Sequence, residues 1–168
     1  AVALEEPSAK GQAPTQPGKF ESPLPDFTGR FRITEKWGHI QFSGFLATVR
    51  YRFEDSTKDD VTLYGGNLSG QFNFLKKDNI IYQVVYGPGL GRYRGGESVG
   101  LNQAGELEAL TDLGITLGVQ HHWNDNLSSL LVYNYGTVDN SVGQPGSALK
   151  ATSYFAANLI YNVMKGTF

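Results

Sequence analysis

The chain of 168 residues contains no cysteine, a single methionine and only two tryptophans. Without thiols it can form neither a disulfide framework nor a thiolate metal site. No stretch approaches the roughly 18 consecutive apolar residues of a membrane-spanning helix. The net charge is −2, so electrostatics gives no support to the binding of nucleic acid or another polyanion.

Glycine and aromatic residues are abundant, with 21 glycines and 12% aromatic side chains. Strand-like stretches are joined by connections that alternate strictly between short and long. The short connections are a few polar or turn-forming residues, at 35–38, 76–79, 124–126 and 162–165. The long connections, rich in Gly, Pro and Ser, run over 7–25, 54–60, 87–109 and 136–150. Tight turns at one rim and long loops at the other are typical of a transmembrane β-barrel.

Side chains in a strand alternate between two faces, so each stretch separates into an apolar and a polar set. The separation is sharpest over 26–34, where Phe27, Phe31 and Ile33 alternate with Arg30 and Arg32. In a barrel that spans a membrane, the apolar set faces lipid and the polar set faces the lumen.

In the stretch 39–53 the alternation blurs past Phe45. A bulge near Ala47 would explain the blur, since a bulge inserts one extra residue into a strand. The alternation therefore leaves the faces of Arg50 and Arg52 open.

The polar set defines a predicted wet wall along the lumen. Amides, hydroxyls and a histidine supply most of this wall, and two arginines supply its positive charge. The predicted pore-lining residues are Thr28, Arg30, Arg32, Asn67, Ser69, Gln71, Asn73, Gln83, Thr116, Gln120, His122 and Asn158.

Aromatic residues fall mostly near the strand ends, with Trp37 and Trp123 beside short turns and Tyr64 and Tyr86 toward long loops. Two aromatic girdles are expected of a membrane barrel, because amphipathic rings favour the headgroup zone. A soluble antiparallel sheet with aromatic edges remains the alternative, because alternation alone does not distinguish inside from outside.

The pattern contains about seven strands, the first of them a truncated stretch at Ala1–Leu4. Bacterial single-chain barrels close with an even number of strands. At about 24 residues per strand with its connection, a 16-stranded porin would take roughly 380 residues. We therefore expect residues 1–168 to be part of one larger barrel domain, with terminal portions missing and 166–168 beginning another strand.

Six blocks of the sequence occur in an order that resembles the DcaP-like family of outer-membrane porins. They are SPLPDFTGRFR at 22–32, WGHIQ at 37–41, GNLSG at 66–70, QVVYGPGLGRY at 83–93, QHHW at 120–123 and ANLIYN at 157–162. The resemblance implies a trimeric porin in the outer membrane of a Gram-negative bacterium. It also implies passage of small anionic solutes, dicarboxylates among them. The family's amino-terminal helical segment and final strands have no counterpart here.

Arg30 and Arg32 are the strongest candidates for solute selectivity. Their spacing places both guanidiniums on one wall, and an always-charged, fork-shaped donor suits a carboxylate in transit. The alternative is that they pair with acidic residues and only hold the barrel wall together.

The glycine-rich stretch 87–91 follows a strand, as a phosphate loop does. A phosphate site needs backbone amides that open a helix, whereas Pro88 lacks an amide and the following residues continue as coil. Long loops of large barrels narrow or plug the lumen. The loop from Gly87 to Ala109 is therefore a candidate constriction that brings Arg92 and Arg94 toward the permeation path.

His121 and His122 do not predict a metal site, because adjacent strand residues point to opposite faces. Ser128 and Ser129 lie near them in sequence, but the pattern supplies no oriented Asp for a catalytic triad. We therefore predict a protein without catalysis, metal or cofactor.

The sequence as a whole predicts a porin for passive diffusion of small hydrophilic, anionic solutes. The main alternative is a complete eight-stranded outer-membrane barrel with a structural or adhesive role and a filled interior. A third possibility is a soluble β-sandwich that acts as a binding module.

Overall fold

A computed structural model describes residues 1–7, 11–14, 16–75, 77–144 and 146–163. Its strands are β1 (Val2–Glu5), β2 (Gly18–Glu21), β3 (Asp26–Glu35), β4 (Gly38–Phe53), β5 (Lys58–Phe74), β6 (Asp78–Pro88), β7 (Val99–Leu101), β8 (Leu107–Ala109), β9 (Thr111–His122), β10 (Leu127–Asp139) and β11 (Ala151–Tyr161). One short helix, α1 (Gly91–Arg94), lies between β6 and β7. The described chain is all-β, as the alternation predicted.

The long strands form one antiparallel sheet in the order β1-β3-β4-β5-β6-β9-β10-β11. β2 pairs with the loop-side end of β4, and β7 pairs with β8 in a separate hairpin. The continuous path thus contains eight strands, whereas the sequence predicted about seven. In the described residues no pairing joins β11 to β1, so the sheet is open and no closed barrel is seen.

Each strand places alternate side chains on two faces, and the cross-strand register carries these faces through the sheet. Thr28 pairs with Phe45 and Arg30 with Ser43, and Ser43 pairs in turn with Asn67. Because directly opposed residues share a face, one face can be followed from β3 to β11. We call the face that bears Ser43 the inner face and the opposite one the outer face.

The predicted bulge near Ala47 is wrong. β4 and β5 pair without interruption from Gly38↔Phe72 to Arg52↔Lys58. The alternation blurs because the polar residues of β4 change from the inner to the outer face along the strand. The faces themselves do not exchange, since odd-numbered residues lie on the inner face and even-numbered residues on the outer face throughout β4. Arg50 and Arg52 consequently lie on the outer face.

A small core buries the inner face at the loop-side end of the sheet. It contains Ala47, Val49, Tyr51, Leu63, Val99, Leu101 and Leu107. The β7–β8 hairpin thus covers β4 and β5, and β2 adds Phe20, whose ring meets the edge of the Tyr51 ring at a centroid distance of 5.1 Å. β2, β7 and β8 were not predicted as strands.

Short turns join the strands at the opposite end, where the sequence predicted them. Gly38 has φ +133° at the first turn, and a Cβ there would lie 1.9 Å from the carbonyl oxygen of Gln71. At the β9–β10 turn, the Asn124 side chain accepts hydrogen bonds from the amides of Asn126 and Leu127, both at 2.9 Å. Parts of the predicted turns at 76–79 and 162–165, and the predicted strand start at 166–168, lie outside the described residues.

Candidate functional site

The outer face of the sheet is apolar and exposed along the middle of the strands. Large hydrophobic side chains with more than a third of their surface exposed occur on each of the strands β3, β4, β5, β6, β9, β10 and β11 of the continuous sheet. They include Phe31, Phe42, Leu46, Tyr64, Phe72, Val84, Tyr86, Leu117, Leu131, Tyr133, Phe155 and Leu159. A water-soluble sheet rarely leaves so large a contiguous apolar patch uncovered.

The inner face is polar over the same stretch of the strands. All twelve residues predicted to line a pore lie on this face, as the register shows. Their role in solute passage stays a prediction.

A cavity of about 800 Å³ lies against the inner face. Its lining includes residues from the first strand of the sheet, such as Glu5, and from the last, such as Thr152. All eight strands of the continuous sheet contribute to this lining. The sheet therefore curves toward its inner face.

One transverse row of the inner face is polar on each of six neighbouring strands. We call this row the polar belt. It runs through successive cross-strand pairs from β3 to β10. Its members are Arg32, Gln41, Ser69, Gln83, Thr116 and Asn134.

The rows on either side of the polar belt are interrupted. Toward the loops, the row that begins with Arg30, Ser43 and Asn67 continues into Val85 and Gly114. Toward the turns, the neighbouring row contains Ile81, Gly118 and Val132. Uninterrupted polarity thus distinguishes the belt from the two rows beside it.

The two strand arginines of the inner face have no ion pair. Within the described chain, no carboxylate lies within 4.0 Å of Arg30 or Arg32. Arg32 donates from Nε to Thr34 Oγ1 at 3.3 Å, which leaves its two terminal amino groups available. Both side chains are exposed. The described residues therefore give no support to the alternative that these arginines only bind acidic residues of the wall.

The two loop arginines are bound to carboxylates instead. Arg92 pairs with Asp26, which is 2% exposed, and donates to the carbonyl oxygen of Glu6 at 2.5 Å. Arg94 pairs with Asp112 at 3.2 Å and donates to the carbonyl oxygen of Leu113 at 3.0 Å. Because β3 and β9 supply these acceptors, the two arginines hold the loop across the inner face.

Glycines on the wall make room for this loop. A Cβ on Gly136 would lie 2.3 Å from a terminal nitrogen of Arg94, and one on Gly114 would lie 3.0 Å from its Cζ. A Cβ on Gly65 would approach Leu90 to 3.1 Å. Because Gly65, Gly114 and Gly136 have no side chains, Leu90 and Arg94 of the loop can pack close to the wall. We call these three wall glycines the glycine seat.

An aromatic contact and a tyrosine hydroxyl add to this seat. The Tyr93 ring packs against Phe45 with a centroid distance of 4.9 Å, and its hydroxyl donates to Glu5 Oε2 at 3.4 Å. The loop from Gly87 to Ala109 therefore folds over the inner face. Arg94 and Tyr93 both line the cavity.

Asp26 and Asp112 are functional candidates that lie outside the predicted pore-lining set. Each is nearly fully buried at the beginning of its strand and accepts a loop arginine. Each aspartate lies beside an apolar residue in sequence, Phe27 or Leu113. An aspartate that begins a strand beside an apolar residue is the signal that could have found them, because a buried charge needs a partner.

The two adjacent histidines share one acceptor at the turn end of the sheet. Asp78 is 4% exposed and lies 2.5 Å from His121 Nδ1, and it accepts the backbone amide of His122 at 2.8 Å. The His121 ring also meets the edge of Trp123 at 4.5 Å. In the described part of the chain, no group of three or more His, Cys, Asp or Glu side chains could hold a metal ion.

Comparison with protein-family models, with curated proteins and with solved structures finds no match to this chain. The resemblance to the DcaP-like porins therefore stays a prediction from the sequence blocks. Among the described residues, no helix is long and apolar enough to cross a membrane.

Proposed function

We propose that this chain forms part of the wall of an outer-membrane porin of the 16-stranded class, through which small hydrophilic anions diffuse passively. The observation that carries the proposal is the distribution of polarity on the sheet. An exposed apolar face lies opposite a polar, concave face over most of the strand length. A membrane barrel with a water-filled lumen requires this arrangement.

The length of the apolar face fits the thickness of a membrane. From Tyr64 to Phe74 on β5, the outer face remains apolar over eleven residues, which are ten steps along the strand. At about 3.4 Å per residue this is roughly 34 Å along the strand, and about 26 Å across a bilayer at a tilt of about 40°. Outer-membrane barrels carry an apolar band about 25 Å tall.

Both borders of the apolar face have the residues expected at a membrane surface. On the turn side, Trp37 packs near Phe72 with ring centroids 6.3 Å apart, and Trp123 is exposed. On the loop side, the outer face changes to charged pairs, of which Arg50–Asp60 at 2.6 Å is closest to the band. Tryptophan favours the headgroup zone, and ion pairs favour water.

The mechanism is diffusion along a hydrated wall. The amides and hydroxyls of the inner face replace part of a solute's hydration shell, so polar solutes enter at little cost. Arg30 and Arg32 attract anions because their guanidiniums are unpaired. The loop at Arg92 and Arg94 narrows the passage, while its own charges are balanced by Asp26 and Asp112.

The partners follow from the same proposal. The outer face contacts the lipid of the Gram-negative outer membrane. From the family resemblance, the full barrel is a homotrimer and its solutes are dicarboxylate-like. The inner wall requires no cofactor and performs no reaction, and no nucleic acid binds.

Ion selectivity in planar lipid bilayers tests the role of the arginines. Replacing Arg30 and Arg32 together by Ala in the full-length protein should shift the reversal potential in a salt gradient toward lower anion preference. Arg50 and Arg52 are the matched control, since they have the same spacing on the outer face of β4. Their double replacement by Ala should leave selectivity unchanged. An unaltered reversal potential in the Arg30/Arg32 variant would contradict the proposal.

A complete eight-stranded barrel with a structural or adhesive role is the second candidate. The continuous sheet has eight strands, an even number, and residues of both β1 and β11 line one cavity. Gel mobility of the refolded chain, unheated against boiled, separates the two candidates. A shift on heating would indicate a barrel that closes by itself. Unchanged mobility together with poor solubility in water favours part of a larger wall with unpaired edges.

A further inference from the structure

The polar belt has hydrogen-bonding groups that favour one class of solute over others, which a merely hydrated wall would not do. We propose that the belt is a binding site for polyhydroxylated carboxylates of the sugar-acid class. The inference rests on the proposed function only in that the inner face must be open to solutes. It adds a solute class that combines one carboxylate with several hydroxyl groups.

The carboxylate would bind at the β3 end of the belt. Arg32 has no carboxylate partner in the described chain, and its terminal amino groups are available. A free guanidinium fork binds a carboxylate through two parallel hydrogen bonds. The loop arginine nearest the opposite wall, Arg94, is neutralised by Asp112. Of the two unpaired strand arginines, Arg30 lines the cavity, and Arg32 lies on the same strand, so the unbalanced positive charge lies on the β3 side.

The hydroxyl groups would bind along the next three strands. Gln41 and Gln83 flank Ser69 in the belt. Their Cα atoms are two strand spacings, or about 10 Å, apart. Neither glutamine side chain makes a hydrogen bond to the described residues, whereas Thr116 and Asn134 bond to each other at 2.7 Å. Two unoccupied carboxamides thus follow the free guanidinium.

The carboxamides of Gln41 and Gln83 favour hydroxyl groups of a solute over a second carboxylate. A carboxamide both donates and accepts hydrogen bonds, and so does a hydroxyl group. A carboxylate only accepts, so it would leave the carboxamide oxygens of Gln41 and Gln83 without a donor. A simple dicarboxylate matches Arg32 of the belt and Arg30 in the neighbouring row, but not the carboxamides of the belt. A sugar acid matches both parts.

Calorimetric titration of the refolded chain in detergent tests this assignment, with gluconate, succinate and glucose as probes. Gluconate should bind more tightly than either of the other two. Gln83→Leu should weaken gluconate binding about fivefold, which corresponds to about 1 kcal/mol for one hydrogen bond. The same change should leave succinate binding unaltered. Arg32→Gln should remove the preference for gluconate over glucose.

Gln103→Leu is the matched control, because it makes the same chemical change in the exposed turn between β7 and β8. It should leave all three affinities unchanged. Gln41→Leu provides a second belt variant, and circular dichroism of each variant reports whether the sheet has formed. A folded Gln83→Leu or Gln41→Leu protein that binds gluconate like the unmodified chain overturns the inference.

Succinate binding as tight as gluconate binding also overturns it. Conductance in planar bilayers separates this failure from failure of the proposed function. A conducting, anion-preferring protein without gluconate preference refutes the sugar-acid site alone. A full-length protein that neither conducts nor inserts into lipid refutes the porin proposal.

Discussion

The two ends of β4 have opposite polarity although they belong to one unbroken strand. Near the turn, its inner face carries Gln41 and Ser43 while its outer face carries the exposed Phe42. Near the loops, its inner face carries the buried Tyr51 while its outer face carries Arg52. The register with β5 is continuous between them. The environment of the strand therefore changes along its length, and its geometry does not.

The inversion has a physical explanation in the proposed membrane barrel. Where lipid surrounds the wall, apolar side chains face outward and water fills the lumen. Beyond the lipid, water lies outside, so the apolar side chains turn to the interior and pack against the β7–β8 hairpin. The change falls between Leu46 and Arg50 on the outer face. A soluble sheet has no reason to exchange its faces in this way.

The loop-side core should give the largest stability effect. Tyr51→Ala removes a ring that is 3% exposed and packs against Phe20 and Phe53. Deleting a buried aromatic ring costs about 3–4 kcal/mol. Faster hydrogen exchange of the β2 and loop-side β4 amides would measure the loss. Tyr64→Ala, on the exposed outer face, should cost about 1 kcal/mol or less. Equal losses at the two tyrosines would contradict the inversion.

An arginine introduced on the outer face should have the next largest effect on stability, and its cost should differ between the apolar stretch and the loop-side end of the sheet. Leu117→Arg places a cation in the middle of the apolar band, where it should cost about 2–4 kcal/mol in lipid. Thr62→Arg places the same side chain on the outer face beyond the band and should cost about 0–1 kcal/mol. Urea titration of both variants refolded into lipid vesicles measures the difference. Similar costs would show that no lipid boundary lies between these positions.

Strict alternation was enough to assign the long strands of the continuous sheet and both faces along their middle. Short-range periodicity carries this information, because each of these strands has one apolar and one polar side. Alternation accordingly predicted four of the six residues of the polar belt as pore-lining, namely Arg32, Ser69, Gln83 and Thr116. Their alignment in a single row needed the register, which depends on turn lengths and pairing rather than on any one strand.

The contacts that fix the loop could not be predicted from spacing. Arg92 and Asp26 are 66 residues apart. The alternation within either segment contains no information about where the other segment lies. The pairing of β2 with β4 likewise depends on a long connection. The polarity inversion was misread as a bulge, because the interpretation assumed one environment for the whole of β4.

The smallest expected effect concerns the charged outer face beyond the band. The Arg52 guanidinium, helped by Lys19, lowers the pKa of Glu21 from 4.5 to about 2. A lowered pKa in the folded chain means that the ion pair stabilises the β2–β4 contact fully above about pH 4.5. This contribution is lost as the pH falls toward 2. The NMR cross-peak between the Phe20 and Tyr51 rings, 5.1 Å apart, reports the contact.

Acidification from pH 4.5 to 2 should weaken this cross-peak in the unmodified chain. In Glu21→Gln the cross-peak should be weaker at neutral pH and should change little on acidification, since the titrating group is gone. Glu108→Gln, an acid-to-amide change on β8, is the control and should keep the original pH dependence. The effect stays small because a partly exposed ion pair is screened by water and salt. If the Glu21→Gln protein kept the original pH dependence, other carboxylates would hold β2 against β4. The ion pair between Glu21 and Arg52 would then not contribute to the loop-side packing.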